Sequence, residues 1–253
     1  MSTSTGAGER AATGRAGGEG GGRAGRMISG AAVALGCVLF LGGFGWMALV
    51  YRPYTVPTGS MTPTVDAGDK ILAQRIDGSE VRRGDIVVFS DPLWGDAPML
   101  KRVVAVGGDE VACCDKQGRL MVDGRPVDEP YRLNTRDPAS PMSFSARVPR
   151  GSLFMMGDNR ATSEDSRLRL GDAANGSVPR AAVVARVDGV VWPLGRAAMA
   201  PRTGAFAALP GGGPSAPGPL RTGGAAIVAG AVLILAGAAY GPVADRARRR
   251  RAV

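Results

Sequence analysis

One serine and three lysines frame the chemistry available to this chain of 253 residues. Ser60 lies in PTGSMTPT, residues 57–64, with Pro53, Pro57 and Pro63 around it. A serine hydroxyl becomes a nucleophile only when a neighbouring group accepts its proton. The usual acceptor is histidine, and the chain contains none. Of its 31 basic residues only Lys70, Lys101 and Lys116 are lysines. A free lysine, with a pKa of about 10.4, is neutral in less than about one molecule in a thousand at pH 7. Burial among apolar groups lowers that pKa by several units and makes an amine usable as a base.

The three lysines differ in setting. Lys116 sits in the polar turn DKQGR, and Lys70 opens a strand after an acidic Gly-Asp. Lys101 lies within MLKRVVAV, where alternation places it on the face of Met99, Val103 and Ala105. That face suits a neutral amine. On pattern alone an ammonium snorkelling past the strand edge is the more ordinary arrangement, and PTGS reads as a plain turn. Local residues leave both questions open. Metal chemistry is not expected, because Cys37 lies in an apolar run, Cys113 and Cys114 are adjacent, and histidine is missing. A bridge between neighbouring cysteines would be strained, so two separate thiols are expected there. No cofactor is implied.

The elements that must position these residues start with two uncharged runs, 27–51 and 222–244. Each reaches the roughly 20 apolar residues that cross a bilayer as helix. The first is too long for the apolar core of a cleaved signal peptide, about 7–15 residues, and reads as an anchor. The second is rich in Gly and Ala and carries Pro242; a buried soluble helix is its alternative. Arginines precede the first run, and DRARRRRAV closes the chain after the second. Positive residues stay on the cytoplasmic side, which predicts cytoplasmic termini and an external segment between the runs. The tails 1–26 and 245–253 carry +2 and +4 of the net +9. The basic balance is thus mainly a topology signal, and no nucleic-acid partner is expected.

Residues 1–26 read as a disordered tail, and 196–221, centred on LPGGGPSAPGPL, as a flexible Gly/Pro linker. Between them, residues 52–195 form a unit large enough for one core. Its patterns are strand-like: KILAQRI, DIVVFSD, MLKRVVAV, EVACCD, LMVDGRPV, GSLFMMGD and VVARVDGVVWP. The turn signals RRGD, GGDE and Asp123-Gly124 separate them. The expected fold is mostly β, a catalytic domain between two transmembrane helices.

Five stretches in order resemble the signal peptidase I (leader peptidase) family. They are the first anchor, PTGSMTPT, AGDKILAQR, RGDIVVF with MLKRVVAVGGD, and MGDNRATSEDSR, spanning 27–167 and continuing to about 193. The resemblance implies a membrane-bound serine endopeptidase with a Ser–Lys dyad that removes signal peptides from secreted preproteins. Ser60 matches the nucleophile and Lys101 its general base. Thr58 stands where many relatives have the serine whose hydroxyl, with the nucleophile's own N–H, stabilises the oxyanion. Ser163 matches the hydroxyl that orients the lysine. Asp165 with Arg167, and Asp158 with Arg102, match charged pairs that brace the site. Val56 and Leu100 match the walls of shallow pockets that admit small side chains, such as Ala at the first and third positions before the cut. The implied partners are preproteins and the lipid bilayer, and the implied location is the plasma membrane, crossed twice, with the catalytic domain outside. A Ser–Lys peptidase dedicated to one precursor is the nearest alternative. A self-cleaving repressor is disfavoured, since no DNA-binding domain is present. A catalytically dead, membrane-anchored binding module is the alternative from another class.

Overall fold

The computed structural model describes residues 20–95 and 97–251. Most of the tail expected over 1–26 lies outside these residues, but helix begins at Gly20, ahead of the apolar run. In chain order the elements are α1 (Gly20–Val50), β1 (Tyr51–Thr55), β2 (Lys70–Gln74), β3 (Ile86–Phe89), β4 (Met99–Val106), β5 (Glu110–Cys113) and β6 (Leu120–Val122). There follow β7 (Arg125–Val127), β8 (Phe144–Arg147), β9 (Ser152–Met156), β10 (Val178–Pro179), β11 (Val183–Trp192), β12 (Ala198–Met199) and α2 (Leu220–Arg251). The described residues divide into a helical unit, up to Phe44 and from Gly223 onward, and a β unit, Gly45–Thr222.

In the helical unit the two helices meet through glycine. A Cβ on Gly36 would lie 2.8 Å from the Gly230 carbonyl oxygen, and one on Gly230 would lie 2.5 Å from the Phe40 nitrogen. The Ser29 hydroxyl donates to the Gly237 carbonyl at 2.6 Å. Small residues that bring backbones together are the usual packing device of helices in lipid. Val38, Leu41, Val232 and Leu235 face outward and are exposed. Apolar spans run over Gly25–Val50 and Leu220–Tyr240, with mean hydropathies of 2.2 and 2.0. The second run is therefore not the buried core helix weighed above: its apolar side chains are mostly exposed.

The β unit holds two sheets. The larger follows the order β1-β2-β11-β3-β4-β9-β10, with β12 also on β11, and the smaller follows β7-β6-β5-β8. Short antiparallel hairpins account for much of the connectivity. At Asp123-Gly124, both residues take positive φ (48° and 70°), as a two-residue β-hairpin turn requires. Val56, Met61, Val65, Ile71, Ala73 and Val88 pack as one cluster beside the turn that carries Ser60. Val104, Phe154 and Met156 from the larger sheet pack against Val111, Leu120 and Val122 from the smaller.

Three expectations are corrected. The register of β4 on β9 shifts between Val103 and Ala105. This bulge, which sets an extra residue into one strand, takes Ala105 off the shared face, so Ala105 joins the inter-sheet core while Met99 and Val103 pack elsewhere. The segment 196–221 is not a loose linker. Phe206 is fully buried with Leu209 in the inter-sheet core, and Ser215 donates through its backbone N–H and its hydroxyl to Asp85. Its Gly/Pro composition predicts flexibility, but two apolar anchors and a buried hydrogen-bond cluster fix it. Finally, Cys113 and Cys114 are joined as a disulfide. The peptide between them is cis, and their Cα atoms are 3.0 Å apart.

Candidate active site

Ser60 stands on a single 3-10 turn, Gly59–Met61, directly after β1. The turn is held from below by Met61 and Val65, both fully buried. It is held from behind by Asn159, whose N–H donates to the Ser60 carbonyl at 3.0 Å and whose side-chain amide donates to the Gly59 carbonyl at 3.2 Å. Two donors on consecutive carbonyls leave the Ser60 side chain directed at β4.

Lys101 lies near the start of β4, opposite Val87 of β3. Its Nζ is 3.1 Å from Ser60 Oγ. The lysine is 3% exposed and the serine 8%, whereas Lys70 and Lys116 are exposed. Burial pushes the Lys101 amine below the ordinary lysine pKa, against the opposing pull of the Asp165 and Glu164 carboxylates. A desolvated amine in contact with a hydroxyl has the geometry of a base and its nucleophile. Of the alternatives left open by the pattern, the structure takes the buried amine.

A groove of about 190 Å³ leads to this pair. Its sides are residues 54–58 and 97–101, and Ile71 and Val88 form its floor. β1 is an edge strand, and β9 pairs with β4 only from Arg102 onward. Both sides of the groove therefore offer unpaired backbone. Val56 is buried and Leu100 half-buried in its walls.

Thr58 Oγ1 is 3.4 Å from Ser60 Oγ. Ser163 is 5% exposed, and its hydroxyl has no hydrogen-bond partner among the described residues, so a bond to Lys101 is not formed. Ser163 nonetheless borders the pair through Gly157: a Cβ on Gly157 would come within 2.5 Å of both Ser163 Cβ and the Ser60 carbonyl oxygen. The Gly157 N–H donates to Asp165 Oδ2 at 3.1 Å. Arg167 holds that carboxylate with its Nε and Nη2, each at 2.8 Å.

Arg102, one residue beyond the lysine, faces the other way. Its Nε and Nη2 donate to Asp158 at 2.8 and 2.7 Å, and its Nη1 to the Gly84 carbonyl at 2.8 Å. Thr64 adds a hydrogen bond to Asp158 at 2.5 Å, and the Tyr131 ring stacks 4.1 Å from the guanidinium carbon. A second buried pair, Arg160 with Glu129, anchors the same loop by donating to the Gly157 carbonyl at 3.0 Å. Sequence reasoning named Arg102, Asp158, Asp165 and Arg167 but missed Gly157, Asn159, Thr64 and Glu129. Gly157 and Asn159 belong to MGDNR, so the motif was the available signal; Glu129 gave none.

The serine and lysine are thus in buried contact and both line the strand-edged groove. A family model described as signal peptidase, peptidase S26, matches residues 27–192, and the chain belongs to this family. It is a serine peptidase of signal-peptide processing. A probable signal peptidase I of Mycobacterium leprae (strain TN) is 32% identical over 208 residues, covering 59% of this chain and 71% of that protein. Signal peptidase I of Bacillus caldolyticus is 34% identical over 158 residues, covering 57% of this chain and 81% of that protein. A solved signal peptidase I from Enterococcus faecalis V583 is 25% identical, covers 42% of this chain and 94% of that one, and has a TM-score of 0.34. At that score it adds nothing to the fold described above.

Proposed function

We propose that the chain is a membrane-bound signal peptidase I that cuts secreted preproteins after small residues of the Ala-X-Ala type, with Ser60 as nucleophile and neutral Lys101 as general base. The observation that carries the reading is the 3.1 Å contact between Ser60 Oγ and an amine that burial pushes toward its neutral form. Ser60 Oγ attacks the scissile carbonyl carbon as Lys101 Nζ takes the hydroxyl proton. The Ser60 N–H and the Thr58 hydroxyl donate to the oxyanion; threonine keeps the needed group on a stiffer side chain. Collapse breaks the peptide C–N bond, and Lys101 passes its proton to the leaving amine. Water, deprotonated by the same lysine, then attacks the acyl ester and restores Ser60. Asp165 with Arg167 fixes the Gly157 backbone, and Ser163, which makes no bond to Lys101, packs against the same glycine. Arg102 and Asp158 lock β4 to the loop that carries Asn159.

The substrate enters as an added strand between the open edges at Tyr54–Pro57 and Met99–Lys101. Val56 and Leu100 wall shallow pockets, and a bulky side chain would overlap them. The two apolar helices cross the plasma membrane, the arginine-rich termini stay cytoplasmic, and the β unit lies outside. Eight residues separate Tyr51 from Ser60, which keeps the nucleophile near the bilayer, where a preprotein's apolar segment still resides. The domain order read from sequence is kept, but the packed segment 196–221 extends the catalytic unit from 52–195 to 52–221.

The test is cleavage of a preprotein by the full-length protein in detergent. Ser60→Ala, Lys101→Ala and Lys101→Arg should each abolish it, because guanidinium stays protonated. Lys70→Arg and Lys116→Arg should cleave normally. Wild-type activity in Lys101→Arg would refute the mechanism, and labelling by a serine-trapping inhibitor excludes an inert binding module.

A further inference from the structure

Arg82, Arg83 and Arg180 line one cavity of about 280 Å³ in the β unit, which shares no lining residue with the groove. Among the described residues no carboxylate lines it. Arg83 is neutralised from behind: its Nε and Nη2 donate to Asp109, and its Nη1 to the Pro210 carbonyl. The other two have no such counter-charge. Arg180 is half-buried and uses only its Nη1, which donates to the Gly78, Ser79 and Val81 carbonyls at 2.7, 3.3 and 2.9 Å. Its Nε and Nη2 have no partner among the described residues, and neither is sealed from solvent. Burial lowers the Arg180 pKa against the opposing pull of Asp109, although a guanidinium stays charged. Arg82 is exposed, and its guanidinium makes no hydrogen bond or ion pair among the described residues.

Arg180 is thus a partly desolvated cation, fixed at one nitrogen and open along the edge that joins the other two. Such an edge carries two parallel donors that match the oxygens of a phosphate group, and its fixed position reduces the ordering that binding requires. The surroundings name the kind of phosphate. Arg82 also lines a neighbouring cavity of about 490 Å³, whose opposite wall includes Ser215, Pro217 and Pro219. Leu220, the next residue, opens α2 and its apolar span. On the membrane placement proposed above, Arg82 stands beside the chain that enters the bilayer, where headgroups occupy about 5–8 Å on each side of the hydrocarbon. Arginines collect on the cytoplasmic side when topology alone places them, so topology does not account for this unpaired couple on the outer side.

We propose that this cavity binds the phosphodiester of an anionic phospholipid, held by the Nε–Nη2 edge of Arg180 and by Arg82. The inference goes beyond the peptidase reading: it rests on the membrane placement and not on the cleavage chemistry. The phosphate oxygens accept from the fixed edge, and the longer reach of exposed Arg82 closes on them from the solvent side. Because no carboxylate lines the cavity, the ammonium of a choline headgroup would find no counter-charge there. The site therefore favours phosphatidylglycerol over phosphatidylcholine.

The experiment titrates the full-length protein, in a non-ionic detergent, with phosphatidylglycerol, phosphatidylcholine and inorganic phosphate, and reads the bound fraction by native mass spectrometry. Phosphatidylglycerol should bind most tightly. Arg82→Gln and Arg180→Gln should each weaken it roughly fivefold, the share of one basic residue at a membrane surface. Arg136→Gln, which removes an exposed arginine outside the cavity, should leave it unchanged. An Arg82→Gln protein that binds like the wild type overturns the inference, and so does an equal loss in Arg136→Gln, which would mean general charge attraction. Inorganic phosphate binding as tightly as the lipid would make this a site for a soluble anion, and equal binding of the two lipids would remove the charge selection; either result overturns the proposal. Arg82 holds no other group in place, so its variant decides the question even where Arg180→Gln fails to fold. Preprotein cleavage by Arg82→Gln should match the wild type. No cleavage by the wild type refutes the peptidase reading alone, whereas release of the wild type from membranes by a carbonate wash refutes the membrane placement and this inference with it.

Discussion

Gly157→Ala tests the site at its tightest point. The added methyl would fall within 2.5 Å of the Ser60 carbonyl oxygen and of Ser163 Cβ, and closer still to Ser163 Oγ. Ordinary contacts between such atoms begin near 3.5 Å, so these groups must retreat by about 1 Å. None is the far end of a flexible chain: one is backbone, and the others belong to a short, buried side chain. The Ser60 retreat acts on a contact of 3.1 Å to Lys101, which another 1 Å carries beyond hydrogen-bond reach. A misplacement of that size costs on the order of 100-fold in rate, and overpacking costs about 1–3 kcal/mol of stability. The assay is kcat on a preprotein in detergent, with thermal unfolding measured alongside. Gly171→Ala is the control, since a Cβ there meets nothing within 4 Å. Should Gly157→Ala keep the wild-type kcat, the packing of Gly157 against the dyad would have no catalytic meaning, and the roles given to Ser163 and Asp165 would fall with it.

On the proposed mechanism Lys101 must be neutral to act as the base, and burial lowers its pKa, so kcat/KM should rise with pH along a limb below the ordinary lysine range. Glu164 favours the protonated amine, so Glu164→Gln should move that limb to lower pH; a profile that stays put or moves up contradicts the assignment. Asp158→Asn leaves the Arg102 guanidinium, 1% exposed, without its counter-charge. It should cost about 3–5 kcal/mol, read from denaturant midpoints, and an unchanged midpoint would mean that the pair does not brace the site. Phe206→Ala should cost about 3–5 kcal/mol and open 196–221 to limited proteolysis, whereas a flexible linker would show neither effect.

How much of this was legible depends on what each residue does with its side chain. The lack of histidine and the count of three lysines narrowed the choice of base, but it was the motif order that singled out Ser60 and Lys101, as it did Arg102, Asp158, Asp165 and Arg167. The strands were readable from alternation, apart from Ala105, which the bulge moves to another face. Gly157 and Asn159 escaped notice because one acts by lacking a side chain and the other by grasping backbone carbonyls, and neither leaves a charge or period to read. The segment 196–221 was misjudged because composition averages over two residues, Phe206 and Leu209, that decide its fate. The Cys113–Cys114 bridge escaped because adjacency argues against pairing, whereas the two sulfurs are joined.

The adjacency of Lys101 and Arg102 on β4 constrains how this protein can vary. On the proposed mechanism one side chain must be able to give up its proton and the next must never do so, and the pleat of the strand keeps them apart. Their assignment rests on phase alone: slipping β4 by one residue against β3 exchanges every side chain between the two faces. A slip in one direction would aim the Arg102 guanidinium at Ser60, and a slip in the other would set the Lys101 amine against Asp158. Insertions and deletions are therefore tolerable in the connection over 90–98 only where the ladder from Ile86↔Arg102 to Phe89↔Met99 stays in step. Drift in length at this hairpin is confined to its tip, while its reading frame is held by the chemistry at its base.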